Sequence, residues 1–220
     1  MTRPPRTSLY LGLAAAALVG LVALSFVLGP SAEERFDDRP APPCPEGFVD
    51  AIGEGARVRE GLAALPEGAA LLAALRVEVR WCFGVVDVPV VADGRVLVMD
   101  RRAPRAEQIA RAGHLLLHVT EGLPLPETIG AGADCDALVA RAIEREAEAH
   151  VLEARLRRAL ELPPDRYEFE PALWAAPEAD RVALVARYLR EHPDGAPNVD
   201  ALASGYRQRC ETERRAAAAR

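Results

Sequence analysis

Between residues 77 and 99 the apolar residues repeat with a period of two, and the segments on either side read mostly as helix. In "RVEVRWCF" the side chains of Val77, Val79, Trp81 and Phe83 fall on one face, as in a half-buried strand. "VVDVPVV" and "RVLVM" follow, joined through "ADG". Asp93-Gly94 suits a tight hairpin, because both central positions of such a turn need positive φ. Pro89 has no N–H to give to a ladder, which puts its strand at an edge or a bulge. Before this region, residues 46–75 form helix in two pieces broken at Pro66. After it, a helix starts at Pro104 and runs to about Thr120, where Gly122 and Pro124 stop it. A second long helix covers about 134–161 and ends at Pro163-Pro164. Shorter helices follow near 170–175, 178–191 and 197–212. The expected fold class is α+β, with a small antiparallel hairpin sheet packed against helices. There is no internal repeat.

Ahead of this domain lies an apolar run, "LYLGLAAAALVGLVALSFVLG", about 20 residues without a charge and long enough to cross a bilayer as a helix. Arg3 and Arg6 precede it and "SAEERFDD" follows, so the charge order predicts the N-terminus inside and the rest outside. A cleaved signal peptide is the rival, but its apolar core usually spans about 7–15 residues, and "GPSA" is a poor cleavage site. The expected organisation is a cytoplasmic N-terminus over 1–8, a transmembrane signal anchor over 9–29 and a Pro-rich linker over 30–45. An extracytoplasmic domain over 46–212 and a disordered tail over 213–220 complete it. The expected location is the bacterial inner membrane, with the C-terminal domain in the periplasm or outside the cell.

Cys44, Cys82, Cys135 and Cys210 all follow the apolar run. An even count in an oxidising compartment reads as two disulfides with three possible pairings. The spacings are too wide for a Cys-x-x-Cys site. Cys44–Cys82 with Cys135–Cys210 is favoured, because the C-terminal helix must be tied to something, but the sequence leaves the other pairings open. The net charge of −6 argues against nucleic acid, which calls for clustered positive charge. All 27 basic residues are arginine, so single arginines carry little functional weight.

The residues that point to chemistry lie in "ARAGHLLLHVTEG". On a helix, Glu107, Arg111, His114, His118 and Glu121 form one row at steps of three and four. His114 and His118 are then one turn apart, where both imidazoles can reach one ion. Zinc takes such nitrogens at about 2 Å, with a third ligand from elsewhere. The next helix carries "AIEREAEAHVLEARL", and Glu144 is the carboxylate expected to complete a His-His-Glu site. Glu148 lies one turn further on the same face. The competing readings are solvent-facing histidines and intrahelical ion pairs among Arg141, Glu144, Arg145, Glu148, Glu153 and Arg157. His150 reads as a surface residue, and Trp81 and Trp174 as packing.

The order of strand hairpin, helix with paired histidines and helix with "EREAEAHVLEARL" resembles the ImmA/IrrE-like zinc metallopeptidases, a gluzincin-type family. The resemblance covers about residues 77–160. It implies a zincin-like helical core, zinc on His114, His118 and Glu144, and Ala147 at a small position. Leu115 stands where that family has the glutamate that activates zinc-bound water. A second register aligns "AGHLLLH" with the end of the family's longer motif. It puts Ala110 and Arg111 in place of the first histidine and the glutamate, leaving only His114 as a ligand. In both registers the general base is missing. The expected role is therefore a catalytically impaired, membrane-anchored domain. It would bind a metal ion, a peptide or protein partner added along a sheet edge, or both. An active metallohydrolase with a displaced base and a metal-free structural envelope protein are the alternatives.

Overall fold

A computed structural model of the chain describes residues 37, 39–164 and 166–220. Four strands form one sheet: β1 (Val49–Asp50), β2 (Arg80–Gly84), β3 (Val90–Ala92) and β4 (Val96–Asp100). Their order is β1-β2-β4-β3. The expected hairpin is present. β3 pairs antiparallel with β4, and Asp93 and Gly94 both have positive φ, at 47° and 70°. Pro89 directly precedes β3, which is an edge strand.

The sheet is nevertheless mixed rather than antiparallel. β2 runs parallel to β4, with Trp81 opposite Leu97 and Phe83 opposite Met99. The link over residues 85–89 carries the chain past one strand position, about 9–10 Å across the sheet. β4 then returns into the gap it left. An alternating pattern fixes which face a side chain takes and says nothing about which strand lies next door. That is why the expectation of a purely antiparallel sheet is corrected here.

The helices among the described residues are α1 (Ile52–Ala63), α2 (Pro66–Ala74), α3 (Arg105–Glu121), α4 (Cys135–Ala159), α5 (Glu170–Ala175), α6 (Arg181–Glu191) and α7 (Leu202–Ala218). Pro66 opens α2 in the first turn, where its missing N–H costs nothing. Asp134 caps α4, its side chain accepting the N–H groups of Asp136 and Ala137. α7 continues through "RRAAA" to Ala218, past the point near 212 where the sequence reading stops it.

One face of the sheet packs against α1, α2 and α3 through Val58, Leu62, Phe83, Leu97, Met99 and Leu116. Its other face is smaller and holds Cys82, Val96 and Val98 against Cys44 and Phe48. The Cys44–Cys82 disulfide fastens the segment before β1 there. Part of the expected linker is thus docked on the sheet, with Ala41 buried and its carbonyl accepting a bond from Arg80. A second core lies between α4, α5 and α6, around Ile143, Tyr167, Phe169, Leu173 and Val185. Cys135–Cys210 ties the start of α4 to α7, so both disulfides match the favoured pairing.

The expected transmembrane helix and the single-pass inner-membrane location built on it are corrected. Among the described residues no helix is long and apolar enough to cross a membrane. Residues 9–29, on which that expectation rested, lie outside the described residues. The two disulfides are compatible with an oxidising compartment.

Candidate metal centre

α3 and α4 pack face to face, and the contact is tight because Gly113 has no side chain. A Cβ built there would lie 2.1 Å from Leu156 Cδ1. The row of polar residues on α3 is therefore not a solvent face. It meets a complementary row on α4, and the two read in opposite directions. Glu107 binds Arg157, and Arg111 donates to Glu153 Oε2 at 3.2 Å. His114 lies between Glu146 and Glu153, and His118 beside Glu146. The α4 partners Glu146, His150, Glu153 and Arg157 follow one another at steps of four, three and four, so they share a face.

At one end of this seam three donors converge. His114 Nε2 and His118 Nε2 are 3.2 Å apart. Glu146 Oε2 is 3.3 Å from His114 Nε2, and Glu146 Oε1 is 3.4 Å from His118 Nε2. All three residues are buried. Two ligands at about 2.0–2.1 Å from a tetrahedral ion stand about 3.3–3.4 Å apart. The three side chains approach that spacing pairwise, with one Glu146 oxygen toward each histidine. These buried groups have the geometry to hold a metal ion.

A second group, His114, His150 and Glu153, lies on the far side of the His114 ring. Glu153 Oε2 is 3.1 Å from His114 Nδ1, near enough for an ion pair but not aligned as a hydrogen bond. Tyr167 donates to Glu153 Oε1 at 2.8 Å. The His150 ring meets His114 edge-on, with centroids 4.8 Å apart, and touches Tyr167 in the same way. Its Nδ1 is buried without a hydrogen-bond partner.

The charges follow from this packing. Burial works against a charged His114, yet Glu146 and Glu153 outweigh it and hold the pKa above its ordinary value. Burial also opposes ionisation of Glu146 and Glu153. His114 and His118 hold Glu146 well below the usual carboxylate range. Arg111, then His114, does the same for Glu153. For His150 burial, aided by the His114 charge, outweighs the pull of Glu153 and Glu146 and depresses the pKa to about 3. From α7, the Tyr206 hydroxyl donates to Glu146 Oε1; burial and that carboxylate push the phenol well above its usual range.

Of the expected ligands, the fold brings His114 and His118 together and leaves Glu144 outside. Glu144 is exposed on α4, two residues from Glu146 and so about 160° around the helix. The carboxylate beside both histidines is Glu146. His150, read from sequence as a surface residue, is buried in the seam. The second register is not favoured by the packing, since Ala110 faces the sheet core and Arg111 is committed to Glu153. Leu115 packs into the first core and also borders the cleft.

The triad opens on a cleft of about 310 Å³. One wall is Val88, Pro89, Val90 and Val91, from the edge strand and the link before it. The other carries Asn198, Asp200, Tyr206 and Arg209. No family model, curated protein or solved structure matches the chain.

Proposed function

We propose that this domain binds one transition-metal ion of the zinc type through His114, His118 and Glu146, and that it is a binding protein rather than a hydrolase. The observation that carries the reading is the convergence of two buried imidazole nitrogens and a buried carboxylate, with ligand atoms within 4.8 Å of one another. Two imidazoles and one carboxylate suit zinc and its neighbours, whereas calcium takes six to eight oxygens at about 2.3–2.6 Å. His114, His118 and Glu146 all line the cleft, so an ion held there would be open to it. Leu115, one residue after the first ligand, can neither accept nor donate a proton, so the ion has no base there to activate water.

An extended peptide lying along β3 is the occupant this cleft fits. β3 is the sheet's edge, Val88 and Val90 are exposed, and the same wall runs down to the metal donors. A peptide there would add backbone hydrogen bonds to the edge and place one side chain or carbonyl at the open position.

The test is the zinc content of the purified full chain beside a His114→Ala/His118→Ala variant, each after incubation with zinc and removal of the excess. The reading expects one ion per chain, lost in the variant. Unaltered chain that retains no zinc refutes it.

A further inference from the structure

The His114–His150–Glu153 group is the strongest feature the proposed site does not use. Its donors are close enough for a second ion, and two of its ring nitrogens, His114 Nδ1 and His150 Nδ1, are buried without hydrogen bonds. A second dication is disfavoured by what already stands there. The Arg111 guanidinium, itself largely buried, binds the same Glu153 oxygen that would have to be the ligand. A positive charge is thus in place, and a divalent ion beside it would meet repulsion in a medium that screens poorly.

What remains is a carboxylate aimed at the back of a metal-binding imidazole. Glu153 Oε1 is held by the Tyr167 hydroxyl and Oε2 by Arg111, so the carboxylate cannot swing away. His114 Nδ1 lies 3.1 Å from Oε2 and needs only a small ring rotation to align its N–H. We propose that Glu153 is the positioning residue of the metal centre. It takes the Nδ1 proton of His114 in hydrogen bond, commits Nε2 to the ion and fixes the ring plane. Metal-bound histidines commonly carry such a partner on the other nitrogen, and losing it lowers metal affinity about 10–100-fold. This inference rests on the metal reading above.

The experiment is a zinc titration of the metal-stripped full chain by competition with a chromophoric chelator. Unaltered protein is compared with Glu153→Gln, Glu153→Asp and Tyr167→Phe, and cobalt-substituted samples are followed by their visible spectra. Glu153→Gln keeps the volume but cannot accept the proton in the same way. It should bind one zinc about 10–100-fold more weakly and shift the cobalt bands. Glu153→Asp should recover part of the affinity. Tyr167→Phe frees one carboxylate oxygen and should weaken binding by a smaller factor. It also serves as the test if Glu153→Gln does not fold. Wild-type affinity and an unchanged cobalt spectrum in the variants that fold would overturn the assignment. So would two zinc ions per chain with one lost in Glu153→Gln, which would make Glu153 a ligand. If the unaltered chain binds no zinc, the metal reading itself fails and takes this inference with it.

Discussion

Removing the Cys135–Cys210 disulfide tests how α7, which lines the cleft through Tyr206 and Arg209, is held in place. The bond spans 75 residues, and the loop-entropy relation gives about 4.5 kcal/mol for a crosslink of that length. Cys44–Cys82 spans 38 residues and yields about 3.9 kcal/mol by the same relation. The two double-alanine variants should therefore lose similar amounts of global stability, because the dependence on length is logarithmic. Their local effects should differ. Cys210 is the one buried residue of α7. The helix is also held by partly buried Leu202, Ala203 and Tyr206 against the second core, by the Tyr206–Glu146 hydrogen bond, by Arg209 on the carbonyls of Pro126 and Glu127, and by an exposed Arg207–Asp136 pair that contributes little.

Cys135→Ala/Cys210→Ala should consequently free α7 ahead of the rest. Two measurements on the full chain check this: urea unfolding followed by the fluorescence of Trp81 and Trp174, and hydrogen exchange resolved by peptide. The expected result is a loss of about 4 kcal/mol in either variant. Fast exchange over 202–218 should appear in the Cys135/Cys210 variant alone, while 135–159 stays protected. A loss below about 1 kcal/mol, or unchanged exchange over 202–218, would refute the reasoning. In that case side-chain contacts hold α7 and the crosslink adds nothing to its anchoring.

Other outcomes can be stated briefly. In metal-stripped protein the His150 pKa lies near 3 in the fold against about 6.5 unfolded, so the unfolded chain takes up a proton first and stability falls as pH drops. This amounts to about 2 kcal/mol between pH 7 and 5, and His150→Leu should remove most of it in guanidinium titrations at each pH. Glu146 and Glu153 have depressed values, so their contribution persists down to about pH 4.5 and is lost below it, steepening acid unfolding. His114 has a raised value, and its contribution, full below about 6.5, is lost as pH rises through the folded pKa. Glu146→Gln should abolish tight zinc binding and Glu144→Gln should leave it unchanged in the same competition titration; equal effects would reject the ligand assignment. Gly113→Ala puts a methyl into Leu156, so an overpacking cost of about 1–3 kcal/mol should outweigh a helix-propensity gain of about 1. A melting temperature at or above wild type would show that Leu156 yields freely.

How much of this was legible in the sequence depends on which property the pattern encodes. Periods of two and of three to four located the strands and helices. Asp93-Gly94 fixed one hairpin, because few other residues tolerate that turn. Sheet order was hidden, since alternation assigns faces and not neighbours. The paired histidines were legible because a step of four is a local property of α3. The carboxylate that lies beside them was not. In "EREAEAH" Glu144, Glu146 and Glu148 alternate with arginine or alanine, and local spacing treats them alike. What separates them is the full buried arc of α4, marked on one flank by Ala147 and Val151 and on the other by Ala142, Ala149 and Leu156. Glu146, His150, Glu153 and Arg157 lie within that arc, while Glu144 and Glu148 lie beyond it. Reading α3 forwards and α4 backwards supplies the missing signal. Glu107, Arg111, His114 and His118 then meet Arg157, Glu153, His150 and Glu146 in turn, acid against base at both ends of the seam. The same match bears on function. The donors sit on the faces by which the two helices pack, so separating them would mean separating α3 from α4 against Leu156, Leu116 and Ile109. A site built into a packing interface is held to the tolerance of the core, which is the rigidity that selective metal binding requires.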